Sequence, residues 1–120
     1  MFSSYLSYIL KRKNEFHIHS PFVFALYTKV IRGHQAGALK ELGIERQVTV
    51  PVEEALELYL GCRDEATMFI VNDIHKNKNN EAAWNTICGH PDVILTIDLY
   101  RKGLFFYREG MEKQEFVLRS

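Results

Sequence analysis

The sequence predicts a small layered α/β domain: parallel strands, a C-terminal antiparallel hairpin and two helices at the N-terminal end. Three observations carry that expectation. Helix and strand signals alternate from residue 47 onward. Residues 67–72 (Thr-Met-Phe-Ile-Val-Asn) form an unbroken apolar run, as in a strand covered on both faces. After Pro91, two apolar stretches follow one another across a short polar turn. A strand–helix–strand order implies a parallel pair with a right-handed crossover.

The elements follow in order. Phe2, Leu6, Ile9 and Leu10 recur near a 3.6-residue period, so residues 3–14 suit an amphipathic helix. Ser20 is a good N-cap and Pro21 fits the first helical position, where its missing N–H costs nothing. Residues 21–31 are apolar over most of the helix surface, which predicts heavy burial, with Gly33 ending the helix. A shorter helix is expected over 36–42, closed by Gly43. Residues 47–50 read as a strand. Pro51 and the acids Glu53 and Glu54 open a helix with Leu56, Tyr59 and Leu60 inward and Gly61 near its end. After the 67–72 strand, Asn79 or Asn80 would cap a helix carrying Ala83, Trp84, Ile87 and Cys88 as its buried stripe. Residues 93–99 and 104–108 form the hairpin, with Gly103 in the turn, and 116–118 a last short strand.

At 120 residues the chain makes one domain, with 1–33 as a helical segment and 34–120 as the α/β core. Fifteen basic and 15 acidic side chains cancel, and the strongest basic cluster is Lys11-Arg12-Lys13. Counterion-driven nucleic-acid binding is therefore not expected. No apolar run approaches the roughly 20 residues that span a bilayer. The first ten residues do not follow a signal-peptide pattern, because their positive charges come after the apolar stretch. Cys62 and Cys88 have no metal-ligand spacing and suit a reducing compartment. A cytoplasmic protein is the expectation.

Several local words, in this order, resemble a known family. They are His17-Ile18-His19-Ser20-Pro21-Phe22-Val23-Phe24, Asn72-Asp73-Ile74-His75, Glu81-Ala82-Ala83-Trp84 and Thr96-Ile97-Asp98-Leu99-Tyr100. They are similar to class I, O-methyltransferase-like proteins of Bacteroidetes, over residues 5–31 and 67–119. The resemblance implies a Rossmann-methyltransferase-like fold and S-adenosylmethionine as the family cofactor. The departures are specific. The family's glycine-rich loop, which lets the backbone approach the cofactor, has no counterpart among the scattered Gly33, Gly37, Gly43 and Gly61. Asn72 stands where the family has the first Asp of a pair, and Lys76-Asn77 replaces an aromatic residue and a Ser.

The expectation is thus a shortened relative that binds no cofactor and acts by self-association or protein interaction. The alternative is a methyltransferase, or a small-ligand or metal-binding enzyme, whose site a dimer completes. Residues 47–50 would form a sheet edge, and an exposed edge is paired or covered. The N-terminal helix or a second copy would serve, and a homodimer is predicted. The candidate ligand or metal site is His17, His19, Asp73 and His75. A His-x-His pair can ligate a metal, and Asp73 and His75 lie at the C-terminal end of a strand, where open α/β sheets bind ligands. The plainer expectation is that the two histidines bond backbone at a helix entry while Asp73 and His75 organise a loop. Asp98 is expected to cap the hairpin turn or pair with Arg101 or Lys102. Trp84 is expected to anchor the core.

Overall fold

The computed structural model describes residues 20–119. The helix expected over 3–14, together with His17 and His19, lies outside the described residues.

Helix α1 begins at Pro21, where the Ser20 hydroxyl accepts the Val23 N–H at 3.3 Å. It runs as an α-helix over Pro21–Ala25 and widens into a π-turn over Leu26–Ile31, closed by the Arg32 N–H on the Tyr27 carbonyl. Gly33 follows because a Cβ there would lie 2.4 Å from the Thr28 carbonyl oxygen. Val23, Leu26 and Tyr27 are buried, whereas Phe24 stays 44% exposed. A short helix α2 (Ala38–Glu41) precedes β1 (Arg46–Thr49), α3 (Val52–Cys62), β2 (Thr67–Asn72), α4 (Lys78–Gly89), β3 (Leu95–Asp98), β4 (Lys102–Phe106) and β5 (Gln114–Val117).

The five strands form one mixed sheet in the order β1-β2-β4-β3-β5. β1 and β2 are parallel, as are β3 and β5, while β4 runs antiparallel to both β2 and β3. The reversed strand is therefore interior. Its Leu104-Phe105-Phe106 run explains the placement, since all three residues are buried and only a central strand covers both faces. On one face α3 and α4 pack through Ala55, Tyr59, Trp84 and Ile87 onto Phe69, Val71 and Phe105. On the other, α1 packs through Val23, Leu26 and Tyr27 onto Met68, Ile97, Leu104 and Phe106. The result is three layers with an apolar cluster on each side of the sheet.

Two local expectations are corrected. Asn77, and not Asn79 or Asn80, caps α4: its extended backbone lets its side-chain oxygen accept the Asn80 N–H at 2.8 Å. The Asn80 side chain is occupied instead, donating to the Asp73 carbonyl at 2.9 Å. Gly103 is not in the hairpin turn but in β4, opposite Asp98. The turn falls on residues 99–101, with Tyr100 at φ 68°. Gly103 is needed because the Trp84 ring lies on it, and an added Cβ would come within 2.5 Å of that ring. As expected, Gly61 lies near the end of α3, which closes at Cys62 with Arg63 in the left-handed position after it at φ 41°.

Among the described residues, β1 ends the sheet on one side. The amides of Arg46, its first residue, and of Val50, just past its end, donate to the Ala66 and Ile70 carbonyls, each at 3.0 Å. Strand alternation then turns the main-chain groups of Gln47 and Thr49 to the outer edge.

Candidate functional site

The C-terminal ends of β1 and β2, the β2–α4 loop and the β3–β4 turn meet at one end of the sheet. Asp73 leaves β2 in a left-handed conformation, φ 59°, and its N–H donates to the Arg101 carbonyl at 2.7 Å. Its own carbonyl accepts from the Lys76 N–H and the Asn80 side chain. Asp73 thus ties the loop to the hairpin turn through its main chain. Asp and Asn tolerate that backbone region better than most residues.

Asp73 and Asn72 line two open clefts. One, of about 380 Å³, also takes in Thr49, Pro51, Glu53 and Lys76. The other, of about 470 Å³, is bounded by Leu99, Arg101 and Lys102. These clefts lie where an open α/β sheet offers a ligand site.

His75 is turned toward a different set of partners. Its Nδ1 lies 2.9 Å from Glu81 Oε2, in the first turn of α4, and its Nε2 lies 2.7 Å from Asp98 Oδ2, at the end of β3. The Tyr100 ring stacks on it with centroids 5.2 Å apart. All three bridging side chains are sheltered, His75 15%, Glu81 25% and Asp98 13% exposed. Burial works against the charged imidazole, but the hydrogen bonds and charges of Asp98 and Glu81 outweigh it and raise the His75 pKa above its ordinary 6.5. An imidazolium donates from both nitrogens, which is what two flanking carboxylates require.

The other Asp98 oxygen accepts the Tyr100 N–H at 2.8 Å and so caps the turn. Its charge partner is His75, where sequence reasoning named Arg101 or Lys102. Glu81 was missed as a site residue. Its signal was present, because an acid in the first turn of a helix six residues after a histidine can face back toward the preceding loop.

Among the described residues, no group of three or more His, Cys, Asp or Glu side chains is placed to hold a metal ion. Both His75 nitrogens are engaged, and His17 and His19 lie outside the described residues, so their meeting with Asp73 and His75 is not described. The fit to S-adenosylmethionine is poor. No glycine lines either cleft. The backbone approach that a glycine-rich loop provides is missing there. Cys88 offers no nucleophile, since burial pushes its thiol pKa up to about 12. No helix among the described residues is long and apolar enough to cross a membrane.

No family model, curated protein or solved structure matches this chain.

Proposed function

We propose that this chain is a cytoplasmic, methyltransferase-related domain that binds no S-adenosylmethionine and works through self-association along β1. The observation that carries the reading is the edge of the sheet at β1, where Gln47 and Thr49 turn their main-chain groups outward. The occupant proposed is a second copy of the chain. In an antiparallel pairing centred on Val48, Gln47 of one copy faces Thr49 of the other, and such a pair exchanges both main-chain hydrogen bonds. Pro51 ends the ladder naturally because it has no N–H to donate. The relation to methyltransferases draws support from the reversed strand that follows parallel strands at the C-terminal end, in keeping with the sequence resemblance.

The Gln47→Pro substitution tests the interface. It removes an outward-facing N–H while leaving the bonds from β1 to β2 in place. The expected result is a folded monomer by size-exclusion chromatography, with an unchanged far-ultraviolet circular dichroism spectrum. Retention of a dimer would reject β1 as the interface.

A second reading rests on the clefts beside Asp73, which could receive a small polar ligand in a site completed by the dimer. Thermal-shift measurements separate the two readings as far as the family cofactor is concerned. A ligand at 100 times its dissociation constant stabilises by about 2.7 kcal/mol. Millimolar S-adenosylmethionine or S-adenosylhomocysteine is expected to leave Tm unchanged, and a rise of several degrees would favour the cofactor-binding alternative.

A further inference from the structure

We propose that His75 is a pH-sensitive latch, tying the end of β3 and its turn to the head of α4 while protonated and releasing one of them when neutral. The inference stands apart from the dimer reading and rests on the geometry of three side chains. Two carboxylates from separate elements, Glu81 on α4 and Asp98 on β3, approach opposite nitrogens of one ring at 2.9 and 2.7 Å. Among the described residues, these two acids are the charged groups acting on His75, and Tyr100 from the turn covers the ring face.

The chemistry follows from the donor count. The imidazolium has two N–H donors, one for each carboxylate. On deprotonation the ring gives one proton to solvent and keeps one donor. Whichever nitrogen keeps it, the other turns a lone pair toward a carboxylate oxygen. One of the two links is then repulsive and opens. The ring is a bridge, so either loss breaks the tie between β3 and α4.

The tie sits beside the residues that shape the clefts. Asp98 caps the turn through the Tyr100 N–H, and Tyr100 holds a positive φ. Leu99 and Arg101 on either side line the larger cleft, and Arg101 accepts the Asp73 N–H. Strained backbone of this kind persists only where its surroundings hold it. Opening the latch therefore loosens the turn or the first turn of α4, and with them the cleft wall. The sign is fixed by linkage. Because the folded protein raises the His75 pKa, the tie contributes fully below about pH 6.5 and is lost as pH rises through the raised value.

NMR on the full chain tests this. The His75 ring signals should titrate with a midpoint above 6.5. Hydrogen exchange at the Tyr100 and Glu81 amides, corrected for its intrinsic pH dependence, should rise at one or both by about tenfold across that midpoint, as expected for a lost charge-assisted bond. The Glu81→Gln variant leaves the turn cap intact and should lower the midpoint, moving the exchange transition to lower pH with it. A midpoint at or below 6.5, or exchange at both amides that ignores the titration, would overturn the latch and leave a static ion cluster.

Discussion

Phe105→Ala is expected to destabilise the protein by about 3–5 kcal/mol, the range for truncating a buried aromatic ring. Phe105 is fully buried on β4, the middle strand of the sheet. Its ring stacks on Phe69 at 5.1 Å, meets Tyr59 at 5.4 Å and lies edge-on to Trp84 at 6.5 Å. Those rings come from β2, α3 and α4, so a cavity here weakens the packing of both helices on the sheet. Tyr59 has little freedom to collapse into the space, because its hydroxyl donates to the Asp92 carbonyl at 2.6 Å. Urea unfolding followed by circular dichroism should show a midpoint shift of this size, with the slope unchanged. A cost under about 1 kcal/mol would mean that the ring cluster does not hold the layer.

Gly103→Ala should cost about 1–3 kcal/mol for the opposite reason. The added methyl has no space, since the Trp84 ring already lies within 2.5 Å of its position. Trp84 is 2% exposed and cannot move aside without disturbing Ile87 and Phe105 in the same cluster. The two positions should therefore be coupled. Trp84→Phe vacates the space that the methyl needs, so the double variant should cost less than the sum of the single ones. A double-mutant cycle with an interaction energy of at least about 1 kcal/mol is expected. Additive costs would show that the close approach of ring and backbone is not what demands glycine.

That pair also marks where the sequence was legible and where it was not. The stripe of Trp84 and Ile87 and the apolar run at 67–72 identify buried surfaces through periodicity alone. The hairpin after Pro91 was readable too, as were Ser20 and Pro21 at the start of α1. Gly103 was misread because a glycine between two apolar stretches usually signals a turn. Here it answers to a ring 19 residues earlier, and no local pattern reports that. Asn77 was passed over for a related reason. Asn77, Asn79 and Asn80 are equivalent by residue type, and only the path of the loop from Asp73 decides which side chain faces the helix.

The candidate site was legible in part. The end of β2 was marked by Asp73 and His75, and both organise that loop, Asp73 through its main chain and His75 through its ring. The union of His75 with Asp98 spans 23 residues and depends on β4 inserting between β2 and β3. The order of the elements along the chain predicts the hairpin but not which strands it pairs with, so it does not bring those two strand ends together. The interior position of β4 therefore decides the site as well as the fold.

The edge at β1 carries the functional account. Two short strands add little apolar surface to an interface, so main-chain pairing along Gln47, Val48 and Thr49 has to define it, and a modest affinity follows. Light scattering across a dilution series of the full chain measures this most directly. The account predicts a mass of twice the chain's 14.0 kDa at tens of micromolar, falling toward the single-chain value on dilution. A mass of one chain throughout that range would contradict it.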